Sequence, residues 1–81
     1  MYNIIYLVKD NDKTICAADS MNEAIKQAIR YLVSGELLVE RFSYKETVTD
    51  IEYSNTFRIG AEIMTETGII SIEPLTLHKS E

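Results

Sequence analysis

The sequence is poor in the residues that staple, break or catalyse. It has one cysteine (Cys16), one histidine (His78), one proline (Pro74), three glycines and no tryptophan among 81 residues. A single cysteine excludes an intramolecular disulfide, so the fold stands without covalent cross-links, as expected of a cytoplasmic protein. One cysteine and one histidine also leave no Cys-x-x-Cys or His-x-x-x-His pattern for zinc. Gly35, Gly60 and Gly68 are the only glycines, and none opens a helix, so a glycine-rich phosphate cradle is excluded too. The longest apolar run near the start, Ile4 to Val8, is five residues, and no basic segment or small-residue cleavage site accompanies it. It reads as neither a signal peptide nor a membrane span.

Basic residues are scarce as well. Eight Lys and Arg stand against thirteen Asp and Glu, for a net charge of -5. The imbalance is not spread evenly: acids and bases cancel over residues 1–35, and the whole excess lies in residues 36–81. An acidic surface disfavours nucleic-acid backbones and anionic membranes as partners and is compatible with a basic protein.

What is present is an ordinary globular composition, 46% hydrophobic and 26% charged, in a chain long enough for one domain over residues 1–81. Tyr2 to Lys9 is rich in aromatic and β-branched residues and unbroken in its apolar middle, which predicts a strand interior to a sheet and covered on both faces. Asp10-Asn11-Asp12 is a turn, and Thr14 to Ala18 completes a hairpin. The same Asp-Asn-Asp triplet opens like a calcium loop, but Lys13-Thr14-Ile15 follow and no glutamate stands at the twelfth position.

Ser20 to Ser34 is the clearest element. Ser20 with Glu23 three residues on forms a capping box, in which hydroxyl and carboxylate each satisfy an orphan backbone N–H. Met21, Ala24, Ile25, Ala28, Ile29 and Leu32 recur at helical spacing and predict one apolar stripe, and Gly35 is expected to supply the left-handed stop. After Gly35 the period changes to two. Leu37 to Tyr44 and Thr47 to Tyr53 are strands, either separated by a turn near Lys45-Glu46 or fused into one. Ser54-Asn55 is a turn signal. Phe57, Ile59, Ala61 and Ile63 then alternate with polar residues as a half-buried strand. Thr65-Glu66-Thr67-Gly68 is a hairpin loop, and Ile69 to Glu73 returns as a strand that Pro74 ends or confines to a sheet edge. Residues 78–81 read as a frayed tail. The expected fold is therefore α+β in two layers: an antiparallel β-sheet of four to six strands in the order ββαβββ, or that order with one extra strand, with one α-helix packed on one face.

No catalytic constellation is visible. Cys16 lies in an apolar strand and reads as a small buried hydrophobe, while His78 lies in a polar tail, so a Cys–His pair would need that tail to fold back. No cofactor is called for. The candidate site is a partner-binding one. Asp50 and Glu52, two apart on a strand, share a face about 6.7 Å from each other. Glu62, Glu66 and Glu73 fall on neighbouring strands and loops, and Tyr44 and Tyr53 supply aromatic contact. Such an acidic ladder imitates a phosphate backbone; it also serves simply to keep a small protein soluble. Base stacking is disfavoured, because residues 46–73 hold six acids and one base.

Isoleucine outnumbers leucine eleven to six, a bias that resembles small proteins of AT-rich bacteria and their phages. That bias covers no motif; with the nucleophile, metal and phosphate signatures missing and the acidic excess present, the expected function is a non-enzymatic interaction module. Most concretely it is a small acidic inhibitor of the phage or mobile-element kind, set against a basic surface of a larger host protein. A regulatory or assembly domain acting through homodimerisation is the second reading, and a small-molecule enzyme without recognisable motif the third.

Overall fold

A computed structural model describes residues 2–51 and 54–78, with side chains over 4–46 and 59–75. In chain order the elements are β1 (Tyr2–Asp10), β2 (Lys13–Ala18), α1 (Met21–Ser34), β3 (Val39–Ile51), β4 (Ser54–Thr65) and β5 (Gly68–His78). The strands form one antiparallel sheet in the order β2-β1-β5-β4-β3, and α1 lies across β1, β2 and β5 on one face. This is the two-layer α+β fold with ββαβββ order that the sequence leads one to expect.

The core lies between helix and sheet. Ala24, Ala28 and Leu32 meet Val8, Ala18, Ala61, Ile63, Ile70 and Ile72, all buried. Two alanines at i and i+4 present almost no side chain, so the helix axis comes close to the isoleucines beneath it. Met21 and Ile25 complete the stripe half-buried, but Ile29 is 51% exposed. Its place is taken by Tyr31, on the other flank of the stripe, whose hydroxyl donates to the Asp10 carboxylate. The apolar face is thus rotated away from the position that periodicity alone assigns.

Both helix ends differ in detail from expectation. Ser20 Oγ accepts from the Glu23 N–H at 3.1 Å, which is the N-cap half of a capping box. The Glu23 carboxylate instead accepts from the Gln27 side chain at 3.2 Å, one turn further on. At the other end, Gly35 keeps right-handed geometry (φ -86°), and Glu36 takes the left-handed position at φ 53°. The Leu37 N–H then donates to Leu32 O and the Glu36 N–H to Val33 O, the paired bonds of a Schellman motif. Leu37 packs against the core there, which locks the exit direction of the chain and holds Glu36 in a conformation a glycine would take more readily.

β1 is interior to the sheet, between β2 and β5, yet only one of its faces is covered. Val8 lies under the helix, while Leu7 and Lys9 point the other way. In β2 the pairing steps from Val8–Cys16 to Lys9–Thr14, which leaves Ile15 as an extra residue. That bulge lets two consecutive side chains, Ile15 and Cys16, both pack on the core.

Residues 39–51 form a single strand, so no turn occurs at Lys45-Glu46; the β-branched run Thr47-Val48-Thr49 carries the ladder straight through. Ser54 and Asn55 are not a turn either, for they pair with Ile51 and Asp50 inside the β3–β4 ladder. Residues 66–67 turn the chain into β5, where Thr65 Oγ accepts from the N–H groups of Thr67 and Gly68 and donates to Gly68 O. β5 does not stop at Pro74: it runs to His78, which pairs with Tyr2. His78 therefore belongs to the sheet, and residues 79–81 lie outside the described part.

Candidate partner-binding surface

The geometry of the site follows from one junction. The β4–β5 ladder begins at Thr65–Gly68 and, among the described residues, ends at Ala61–Ile72. β5 continues to pair with β1 as far as His78, and β4 with β3 as far as Ser54. Pro74 has no N–H to offer β4, and its ring lies against Gly60. A Cβ on Gly60 would stand 2.5 Å from the Ile72 carbonyl oxygen and 3.1 Å from Pro74 Cδ. The two strands touch at Gly60 because it has no side chain. Beyond it the sheet divides into a β1–β5 arm and a β3–β4 arm.

On the helix side, this division leaves sheet surface that α1 does not reach. Tyr6, Met21, Tyr44 and Ile59 line an apolar recess of about 440 Å³. Ile59 is 55% and Tyr44 63% exposed, although Ala61 and Ile63 on the same strand face are buried. Beside them Phe42 meets Tyr44 edge to face, with ring centroids 5.1 Å apart at 87°. Phe42 and Tyr44 pair with the buried Ile63 and Ala61, so they share the helix-side face of the sheet. Tyr44 is thus an exposed aromatic, as a partner-binding residue must be. Ile59 reads as core in the sequence because its alternation with Ala61 and Ile63 is perfect. Only the reach of the helix separates it from them.

The opposite face carries charge of both signs. Lys9 on β1 pairs with Glu73 on β5 at 2.8 Å, and Lys45 on β3 with Glu62 on β4 at 3.7 Å. Glu62 and Glu73 come together over Gly60, lining a recess of about 330 Å³ with Lys45, Ser71 and Pro74. Two of the expected acids are therefore neighbours, each paired with a lysine, and each pair keeps one partner in water, which limits its contribution to stability. Glu66 is exposed in the β4–β5 turn. Asp50 lies in the β3 ladder opposite Asn55, and its side chain, together with Glu52 and Tyr53, falls outside the described residues.

Cys16 is half-buried against the core opposite Val8, while His78 stands opposite Tyr2. Six residues of β1 separate those positions, which sets the two backbones about 20 Å apart along the strand. In the Asp10-Asn11-Asp12 triplet, Asp10 accepts from Tyr31, and Asn11 accepts from the Ile69 N–H. The hydrogen bond to Asp10, reinforced by burial and by the carboxylate's charge, raises the Tyr31 hydroxyl above the ordinary phenol value of 10.0.

Among the described residues, no helix is long and apolar enough to cross a membrane. The chain matches no known family, curated protein or solved structure.

Proposed function

We propose that the protein is a non-enzymatic interaction module, a small acidic modulator that docks on a basic surface of a larger protein. The observation that carries this reading is the exposed apolar recess of Tyr6, Met21, Tyr44 and Ile59 on a chain of net charge -5. An aromatic-lined recess that keeps Tyr44 and Ile59 in water supplies the anchor that dominates binding energy at protein interfaces. The acidic excess supplies the second half, since long-range attraction speeds encounter with a partner of opposite charge.

The test uses the full chain as bait in an extract of its native host, with Tyr44→Ser and a Glu62→Lys/Glu66→Lys variant in parallel. Melting temperatures report whether each variant folds. The expected outcome is a basic protein retained by the wild type, lost with Tyr44→Ser, and bound with a slower on-rate by the double reversal. Wild-type association should slow as salt is added. A captured partner indifferent to Tyr44, or an on-rate indifferent to salt, would remove the reading.

A further inference from the structure

The sheet has two edges, and they are unlike. β2 is six residues long and bulged at Ile15. β3 is thirteen residues long, contains no proline, and pairs with β4 without irregularity from Arg41 to Ile51. An unbroken edge of that length, about 36 Å, presents a continuous row of backbone N–H and C=O groups, which natural sheets normally shorten, bulge or cover. All the described β3 side chains, Val39 to Glu46, are exposed, including Val39, Phe42 and Tyr44.

We propose that a second copy of this chain pairs antiparallel along β3, joining two five-stranded sheets into one of ten strands about a two-fold axis at Tyr44. Charge selects the occupant. The protein as a whole is at -5, so two copies repel over most of their surface. Residues 40–46 of the β3 edge are an exception: Glu40 and Glu46 are balanced there by Arg41 and Lys45, and Asp50, further along the strand, is the edge's one further charge. That balanced stretch of both signs offers no selective attraction to a basic strand and no net repulsion to a copy of itself.

The same four charges select the register. A two-fold axis perpendicular to the sheet puts symmetric positions opposite each other on one face, and like charges directly opposed destabilise a pair. Centring on Arg41, Lys45 or Glu46 opposes each residue to itself, and centring on Ser43 opposes Arg41 to Lys45. Centring on Phe42 runs at once into Glu40, where the β3 register is irregular. Tyr44 alone remains among positions 41–46: Ser43 then faces Lys45, Phe42 faces Glu46, Arg41 faces Thr47, and Tyr44 faces Tyr44 of the second copy. The two apolar recesses, each with Tyr44 in its wall, come to lie side by side across the axis. Tyr44 belongs to both the edge and the recess, but this inference does not rest on the proposed function, since it is argued from the backbone and charges of β3 and its test reads self-association of the purified chain.

Sedimentation of the purified wild-type chain over a concentration series should show a reversible dimer. Tyr44→Lys, which sets like charges on the axis, should shift it to monomer with unchanged circular dichroism. Register is read by cross-linking in a Cys16→Ala background. Tyr44→Cys should oxidise to a covalent dimer, because self-opposed strand positions lie within disulfide reach. Glu46→Cys should not, since its copy is displaced by four residues, about 13 Å. A wild-type chain that stays monomeric at every concentration, a dimer that survives Tyr44→Lys, or cross-linking of Glu46→Cys as fast as Tyr44→Cys would overturn the proposal.

Discussion

Asn11 holds Ile69 by both of its backbone groups. The Asn11 N–H donates to Ile69 O at 2.8 Å, and the Ile69 N–H donates to Asn11 Oδ1 at 3.2 Å. A turn residue thereby ties the β1–β2 hairpin to the start of β5, and it does so at φ 55°, a conformation asparagine tolerates better than most residues. Asn11→Ala loses the acceptor and strains the backbone, and should cost about 1 to 3 kcal/mol. Asn11→Gly restores the backbone freedom alone and should lie between alanine and wild type in a urea titration.

Gly60 is expected to be intolerant of any side chain. Its Cβ would meet a carbonyl oxygen rather than the flexible end of a side chain, so β4 or β5 must move. Gly60→Ala should destabilise by about 1 to 3 kcal/mol. Amide exchange at Ala61 and Ile72, the last β4–β5 pair, should accelerate more than at the far end of the ladder.

Glu36 marks a position where the natural residue is not the most stable one. It occupies the left-handed slot of the Schellman motif at φ 53° and is exposed. Glu36→Gly should raise stability by about 1 kcal/mol, seen as a higher midpoint at unchanged denaturant slope. A lower midpoint would mean that the slot is not strained.

Leu32 and Ile29 are equally plausible core residues by helical spacing, but Leu32 is 6% and Ile29 51% exposed. Leu32→Ala should cost about 2 to 5 kcal/mol through lost burial and the cavity left behind. Ile29→Ala should cost less than about 1 kcal/mol. Thermal melts of the pair decide whether the stripe is rotated toward Tyr31.

Tyr31 gives the fold an alkaline limit. Because Asp10 raises its folded pKa above that of the unfolded chain, its contribution is complete below about pH 10 and is lost as pH rises through the folded value. The wild type should therefore lose stability above pH 10 more steeply than Tyr31→Phe, and the two stability curves should converge there.

The helix, the element order and the hairpin turns at residues 10–12 and 65–68 were legible in the sequence because each depends on neighbours within a few positions. Ser20 caps Glu23, the alanine and leucine spacing is periodic, and Thr65 closes its own turn. The candidate site was legible only in part. Tyr44 stood out as an aromatic on a strand, whereas Ile59 carries no mark that separates an exposed apolar residue from a buried one, and nothing in the sequence brings it beside the half-buried Met21 and Tyr6.

Tertiary structure decided what local pattern leaves degenerate. Ile59 and Ile63 have the same alternation, and the helix covers one and not the other. Glu36 rather than Gly35 turns left-handed, because the paired bonds from Leu37 and Glu36 place the sixth and fifth residues of the motif there. Pro74 sits within an interior strand because the ladder on its β4 side ends just before it. Strand order and the parting of the sheet at Gly60 depend on contacts between residues far apart in the chain. Propensity and periodicity are sums over near neighbours and contain no term for such contacts.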